Sequence, residues 1–143
     1  MDTHSAYCTF RVDQMHFCVE VLRVQEVLRE QQMTRVPGSS PVVRGLMNLR
    51  GQIVAALDLR RRIGLPEREQ LQPLMNVVIR TNEGPVSLLV DEIGDVLQID
   101  SNRFERLPET LQGLPRALIL GVYKLEGRLL MVLNIEPTLK LSA

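Results

Sequence analysis

The chain has 143 residues, which is the size of one ordinary domain and enough to bury a hydrophobic core. Its 17 lysines and arginines balance its 17 aspartates and glutamates, so no net charge draws the protein towards nucleic acid or an anionic membrane. It has no Trp, two Tyr and three Phe, which leaves few aromatic side chains for stacking single-stranded bases.

The compartment is predicted from what the sequence lacks. No apolar run approaches the roughly 20 residues that span a bilayer. The N-terminal segment MDTHSAYC has neither the basic nor the apolar region of a signal peptide. We therefore expect a cytoplasmic protein that does not insert into a membrane and whose two cysteines are free thiols.

The first predicted element is a β-hairpin. Apolar and polar side chains alternate in CTFRVD (8–13) and again in HFCVEV (16–21), after a turn at Asp13, Gln14 and Met15. This alternation predicts one buried face and one exposed face, with Cys18 on the exposed one. The side chains predicted to point inward are Cys8, Phe10, Val12, Phe17, Val19 and Val21.

The rest of the first half predicts short elements. Residues 24–30 read as a strand, 37–41 (PGSSP) as a loop, and 42–46 as a short helical turn. A hairpin follows in LMNLRGQIVAALDL (46–59), around the turn residues Arg50 and Gly51. The segment LRRRI (59–63) predicts a short helix that ends at Gly64. Residues 66–75 are polar and proline-flanked, which predicts a connector.

The arginine run on this short helix, Arg60 to Arg62, has two interpretations. Phosphate binding is one, but the balanced overall charge favours a solvated helix face that pairs with Glu67 and Glu69.

The second half repeats the plan of the first. Strands are predicted in NVVIRT (76–81), VSLLVDEI (86–93) and DVLQID (95–100), and a loop in 101–116. The half ends with the strand pair in LILGVYKLEGRLLMVLNI (118–135). GLMNLRGQIVAALDL (45–59) aligns with GVYKLEGRLLMVLNI (121–135) at a constant shift of 76 residues, and VQEVL (24–28) resembles IGDVL (93–97).

The repeat predicts a core that is built twice. About five short strands per unit favour small closed barrels, because closure removes exposed strand edges. We expect a mainly β fold of two similar, small, five-stranded β-barrel subdomains with short helices and a groove between them. The two units cover about 8–65 and 76–139 of a single domain 1–143, and exchange of strands between the barrels is left open.

The repeat also separates structural from functional positions. It keeps Gly51 as Gly127, which indicates a structural turn glycine in both copies. It places Glu126 opposite Arg50, so the fold does not require an arginine at that turn. Arg50 is therefore available for function.

Metal binding and cofactor binding are not predicted. His4, Cys8, His16 and Cys18 are near one another in sequence, but they lack the tight ligand pairs of structural zinc sites. The chain also lacks the common nucleotide-binding and hydrolase motifs.

The carboxylates Asp91, Glu92 and Asp95, with Asp100 nearby, are interpreted as a solvated turn, since no histidine or cleft signal accompanies them. An unrecognised enzyme that uses the first three, and a small nucleic-acid-binding barrel, are the alternatives from other functional classes. A protein–protein surface suits the sequence better, because Val24 and Val27 flank Glu26 and the Arg50 turn follows.

Four segments together resemble the CheW family of bacterial chemotaxis coupling proteins. They are VLRVQEVL, TRVPGSSPVVRGLMNLRGQIVAALDLRRRIGLP, VSLLVDEIGDVLQI and KLEGRLLMVLNIEPTL, and the resemblance runs from about Phe10 to Leu139. Its most specific part is NLRG followed by DLR. One departure is Ala55, where many members of the family have proline, and another is a shorter C-terminal helix.

The resemblance implies two Src-homology-type barrels and a non-enzymatic adaptor. Such adaptors join the cytoplasmic tips of chemoreceptors to the regulatory domain of a CheA-type histidine kinase, at the inner face of the membrane. Receptor tips bind in the groove between the subdomains, and barrel ends contact the kinase. A paralogue of a non-flagellar chemosensory pathway, which binds only the kinase or only the receptor, is the alternative within the family.

The resemblance also implies partner-binding positions. Carried over residue by residue, they are Val24, Glu26, Gly45, Arg50, Ile93 and Val96. We add Val27 as an apolar contact beside Glu26. Val24 and Val27 are expected to supply apolar contact, while Glu26 and Arg50 set register and specificity.

Overall fold

The computed structural model describes residues 3–68, 72–111, 113 and 115–141. These residues form eleven β-strands and two short α-helices. The elements are β1 His4–Val12, β2 Met15–Glu20, β3 Val24–Leu28, β4 Val43–Leu49, β5 Gln52–Asp58, α1 Leu59–Ile63, β6 Met75–Ile79, β7 Val86–Val90, β8 Glu92–Asp100, β9 Phe104–Glu105, β10 Ile119–Leu125, β11 Arg128–Leu133 and α2 Ile135–Leu139. Of the helices in these ranges, none is long and apolar enough to cross a membrane.

The strands form two sheets, which confirms the mainly β fold with two subdomains. Sheet A has the order β8-β1-β2-β11-β10-β9, and sheet B has the order β3-β6-β7-β5-β4. In each sheet one neighbouring pair is parallel, β2 with β11 in sheet A and β5 with β7 in sheet B. The two sheets therefore have the same plan, and β9 gives sheet A a sixth strand.

Each sheet takes strands from both halves of the chain. Sheet A combines the hairpin β1–β2 from the first half with strands β8, β9, β10 and β11 from the second half. Sheet B combines the hairpin β6–β7 from the second half with strands β3, β4 and β5 from the first half. The ranges 8–65 and 76–139 thus describe the repeat in sequence and not the two sheets.

Neither sheet is a barrel closed by backbone pairing. Within the described ranges, β8 does not pair with β9, and β3 does not pair with β4. In sheet B the edge strand β3 is instead linked to the β4–β5 turn by the side chains of Glu26 and Arg50.

The repeat is visible in the details of the ladders. A bulge between Val43 and Gly45 on β4 has its equivalent between Ile119 and Gly121 on β10. The backbone of Thr34 bridges β4, and the short strand β9 pairs at the equivalent place on β10. The segment 42–46, predicted as a helical turn, mostly belongs to β4, because its backbone pairs with β5.

Side chains on both faces of the sheets are buried. The two sheets pack together around a shared core that includes Phe10, Phe17, Leu88 and Met131. Sheet A also encloses a small core of its own on its other face, made of Tyr7, Cys18, Ile99, Tyr123, Leu130 and Val132. Sheet B encloses two smaller clusters, which contain Met47, Val54, Val78, Ala56, Leu74 and Leu89.

The prediction that Cys18 lies on an exposed face is wrong, because the second face of sheet A is also buried. Cys18 was expected on the surface, but it is fully buried in the core of sheet A. The alternation of side chains was assigned correctly, whereas the assumption that one face meets solvent was not. Burial raises the pKa of the Cys18 thiol to about 12.

Local signals around the first hairpin and α1 are confirmed. Strands β1 and β2 pair up to Val12 and Met15, so the turn falls where it was predicted. The carboxylate of Asp58 accepts a hydrogen bond from the Arg61 amide at 3.3 Å and caps α1. Gly64 ends the helix with a φ of +91°.

Candidate functional site

The β4–β5 turn is a two-residue hairpin loop. Leu49 pairs with Gln52, so Arg50 and Gly51 alone make the turn. Their φ angles are +51° and +86°, as in a type I′ turn. The Asn48 side chain accepts a hydrogen bond from the Gly51 amide at 2.8 Å. The Arg50 side chain is therefore attached to a well-defined backbone.

The equivalent turn in sheet A has a different backbone. Leu125 pairs with Arg128, and Gly127 has a φ of +81°, so both turn glycines adopt the left-handed backbone conformation. Glu126, however, lacks the positive φ that Arg50 has. The two copies of the repeat share the glycine and differ in the residue before it, in both charge and conformation.

Arg50 forms an ion pair with Glu26 on β3. Its Nη1 and Nη2 atoms donate to Glu26 Oε2 and Oε1, each at 2.5 Å. This bidentate geometry fixes the guanidinium plane. The hydrogen bonds from Arg50 lower the pKa of Glu26, and Glu26 in turn raises the pKa of Arg50. The arginine side chain remains 68% exposed, so two predicted site residues meet at the surface.

Apolar side chains flank this pair in a way that both sheets share. Val24, at the start of β3, packs against the shared core, whereas Val27 is exposed beside Glu26. Ile93 and Val96 occupy the equivalent places on β8 at the edge of sheet A. Val96 is 61% exposed, so the edge strands β3 and β8 each present a valine to solvent, Val27 on β3 and Val96 on β8.

Gly45 has a packing role in the structure. It is buried in β4, where an added Cβ would lie 2.8 Å from the Thr34 carbonyl oxygen and 3.0 Å from the Met33 Cβ. The equivalent Gly121 is just as tightly covered by β9. Gly45 therefore lets residues 33–34 lie against β4, and its role as a partner contact stays a prediction.

The interpretation of Asp91 as a solvated turn residue is wrong. Its side chain is only 7% exposed. It accepts hydrogen bonds from Arg60 Nη2 at 3.1 Å, from the Asp13 amide at 2.7 Å and from Arg68 Nη2. Arg11 Nη1 lies 3.9 Å away. The β1–β2 turn, helix α1 and the connector converge on this one carboxylate.

The arginine run on α1 is solvated only in part. Arg61 pairs with Glu67 at 2.9 Å as predicted, while Glu69 lies outside the described residues. Arg60 is buried against Asp91 and donates to the Pro66 carbonyl oxygen at 2.8 Å. Arg62 donates to backbone carbonyls of α2, among them that of Thr138 at 2.9 Å. The run therefore connects α1 to its surroundings, which a helix pattern alone does not reveal.

Glu92 and Asp95 do not gather with Asp91 into a catalytic cluster. Glu92 is an exposed partner of Arg11 at 3.0 Å, and the Asp95 carbonyl accepts from the Thr9 hydroxyl at 2.6 Å. A search of the described residues finds no group of three or more histidine, cysteine or carboxylate side chains arranged to hold a metal ion.

Sequence reasoning missed several large apolar side chains at the surface. Leu22 is 80% exposed, Ile53 is 61% exposed and Leu120 is 57% exposed. Ile53 alternates with the buried Val54 on β5, so period two could have signalled it. Leu22 lies in a single 3₁₀ turn after β2, where that alternation stops.

Comparison with known proteins gives a consistent result. The family model of the CheW-like domain matches residues 6–142. The chemotaxis protein CheW of Bacillus subtilis is 32% identical over 130 residues, which covers 91% of this chain and 83% of that protein. Protein PilI of Pseudomonas aeruginosa is 28% identical over 82% of this chain and 66% of its own length.

A solved structure has the same fold. The crystal structure of the scaffolding protein TtCheW from Thermoanaerobacter tengcongensis superposes with a TM-score of 0.87, and the match covers 96% of this chain and 93% of that one. The sequence identity is 21%, so this likeness concerns the fold.

Proposed function

The chain belongs to the CheW-like family, and on that premise we propose that it is a non-enzymatic adaptor that couples chemoreceptors to a CheA-type histidine kinase. It acts in the cytoplasm, at the inner face of the membrane, where it is held by receptor arrays. The partners are the cytoplasmic tip of a chemoreceptor and the regulatory domain of the kinase. No step of this function requires a cofactor or a reaction.

The observation that carries the proposal is the exposed, fixed guanidinium of Arg50. A guanidinium has five N–H donors, and Arg50 uses one on Nη1 and one on Nη2 to bind Glu26. The remaining donors can bind a receptor carboxylate or backbone carbonyl groups. Val27 offers apolar contact area beside the pair, and Val24 and Ile93 border the core that the two sheets share.

Substitution of Arg50 tests the receptor contact. Arg50→Glu removes the donors and places a second carboxylate beside Glu26, so we expect receptor binding to weaken by about tenfold or more. The assay is a pulldown with a receptor cytoplasmic fragment, accompanied by circular dichroism to verify folding. Glu126→Arg, at the equivalent turn of the other sheet, is the matched control and should leave receptor binding unchanged.

A charge swap separates a direct contact from an effect through Glu26. The double variant Glu26→Arg/Arg50→Glu can restore the ion pair with its polarity reversed. If Arg50 contacts the receptor, the swapped protein still binds poorly. Normal receptor binding by the swapped protein, or by folded Arg50→Glu, would show that Arg50 is not a receptor contact.

A narrower adaptor function is the second candidate, because the relatives include protein PilI as well as CheW proteins. Under this alternative the chain serves a paralogous chemosensory pathway and binds only the kinase or only the receptor. A pulldown from the native cell, scored separately for receptor and kinase, distinguishes the two. Recovery of both partners supports the coupling function, and recovery of one supports the narrower function.

A further inference from the structure

A hollow lined by three arginines lies away from the Arg50 turn. It is bounded by the loop 33–41, the start of β4 and helix α1, and its volume is about 770 Å³. That volume is within the range of small-molecule binding pockets. Arg35, Arg44 and Arg61 supply its charge, and Ser39 and Ser40 supply hydroxyl groups.

The walls of the hollow are held in place by hydrogen bonds. Thr34 exchanges two backbone hydrogen bonds with Leu46, each 2.8 Å long, which anchor the loop to β4. The loop then turns at Pro37 and Gly38, where Gly38 has a φ of +80° as position i+2 of a type II turn requires. The Ser39 hydroxyl donates to the Val36 carbonyl oxygen at 2.7 Å. A ligand would therefore meet an ordered surface.

The arginines have few partners. Among the described residues, none forms a hydrogen bond or an ion pair with the Arg35 side chain. Arg44 has a single contact, from Nη1 to Asp58 Oδ2 at 3.4 Å. Arg61 uses Nε for Glu67 and Nη1 for the Pro41 carbonyl oxygen at 2.8 Å, and its Nε also lies 3.8 Å from Asp58 Oδ2. Most of the N–H donors of these three guanidinium groups are thus available to a ligand.

The charge of the hollow is unbalanced at its surface. Its described lining residues contain three arginines and no carboxylate. Asp58 lies beneath, 5% exposed, where it caps α1. Asp58 pairs with Arg44 and Glu67 pairs with Arg61, so the three arginines leave one positive charge in excess, that of Arg35. Apolar side chains complete the wall, namely Met33, Val36, Pro37, Pro41 and Val43.

From this arrangement we propose that the hollow is a binding site for a small organic phosphate with at least two negative charges. The fork geometry of guanidinium groups matches phosphate oxygens, and three such groups match more than one phosphate. The apolar wall provides contact for the organic part of the ligand. The proposal does not depend on the adaptor function, and the binding requires neither receptor nor kinase.

Isothermal titration of the purified full chain tests the site. The probes are inorganic pyrophosphate, ADP and citrate, each at low ionic strength. We expect saturable pyrophosphate binding with a dissociation constant below about 1 mM, tighter binding of ADP, and citrate binding weaker by about tenfold. Raising the salt concentration should weaken all of these interactions.

Variants locate the binding. Arg35→Gln and Arg44→Gln should each weaken pyrophosphate binding by about tenfold, since each removes a charged donor group. Folding is expected to survive in Arg35→Gln, because that side chain is exposed and makes no hydrogen bond or ion pair with the described residues. Arg106→Gln, an exposed arginine in the second half, is the matched control and should bind normally.

Three results would overturn the proposal. The first is the lack of saturable pyrophosphate and ADP binding up to 10 mM, a limit about tenfold above the expected constant. The second is equal binding by Arg35→Gln, Arg44→Gln and the parent protein. The third is citrate binding as tight as that of pyrophosphate, or ADP binding no tighter than pyrophosphate. None of these readouts involves receptor or kinase, so failure here leaves the adaptor function unaffected.

Discussion

The buried carboxylate of Asp91 is expected to contribute strongly to stability, and Asp91→Asn tests this. Asn has nearly the same shape but carries no charge. The substitution therefore leaves the guanidinium groups of Arg60 and Arg68, which are 9% and 15% exposed, without their shared anion. Burial and the neighbouring Arg60 charge already lower the pKa of Arg68, which shows that its surroundings disfavour positive charge.

The size of the effect follows from burial. Removal of one partner from a buried ion pair costs about 3–5 kcal/mol, because an uncompensated charge stays in the interior. The free energy of unfolding of a domain is about 5–15 kcal/mol, so a large part of the stability is expected to depend on Asp91. For a chain of about 150 residues, the loss corresponds to a fall in Tm of about 10 °C.

Urea unfolding followed by circular dichroism measures the loss, since the chain has no Trp for fluorescence. Glu92→Gln is the matched control, because Glu92 is 67% exposed and its ion pair in the described part of the chain is with Arg11 at 3.0 Å. It should change the free energy of unfolding by less than about 1 kcal/mol. An Asp91→Asn effect as small as the control effect would refute the argument that burial makes this network strong.

Three further predictions concern the packing of sheet A. In Gly121→Ala the new Cβ would lie 2.3 Å from Phe104 Cζ and 2.5 Å from the Glu105 carbonyl oxygen, so β9 must move, and calorimetry should show a loss of about 1–3 kcal/mol. A loss no larger than that of Gly51→Ala, which has open space but a positive φ, would contradict this. Cys18 should resist iodoacetamide at pH 8 in the folded protein and react after unfolding, because the thiolate is the reactive form. Above pH 9 the unfolded chain loses the Cys18 proton, while the folded protein keeps it until about pH 12. The free energy of unfolding should therefore fall by about 1.4 kcal/mol per pH unit in this range. Cys18→Ala should reduce that slope.

Features that depend on neighbouring residues were predictable from the sequence. The first hairpin turn, the end of α1 at Gly64, and the turn glycines Gly51 and Gly127 follow from local backbone requirements. The doubled architecture was predictable because the repeat is written in the sequence, down to the paired positions of Gly45 and Gly121.

Features that depend on what covers a face were not predictable. The alternation around Cys18 indicates that two faces exist. It does not indicate that both are buried, because the residues that cover the second face come from distant parts of the chain. Asp91 looked like a solvated turn residue because its partners come from distant segments, the closest in sequence being Arg68. Glu26 and Arg50 were both predicted as site residues, yet nothing in their spacing indicated that they bind each other.

The backbone at Arg50 strengthens the functional interpretation of that residue. A φ of +51° is disfavoured for a side chain with a Cβ, and type I′ turns favour Asn, Asp or Gly at this position. The equivalent Glu126 avoids this conformation. The pair with Glu26 stabilises little, because the arginine is 68% exposed and screened by solvent. Since neither the turn nor the ion pair favours arginine energetically, its presence supports the proposal that Arg50 contacts a partner.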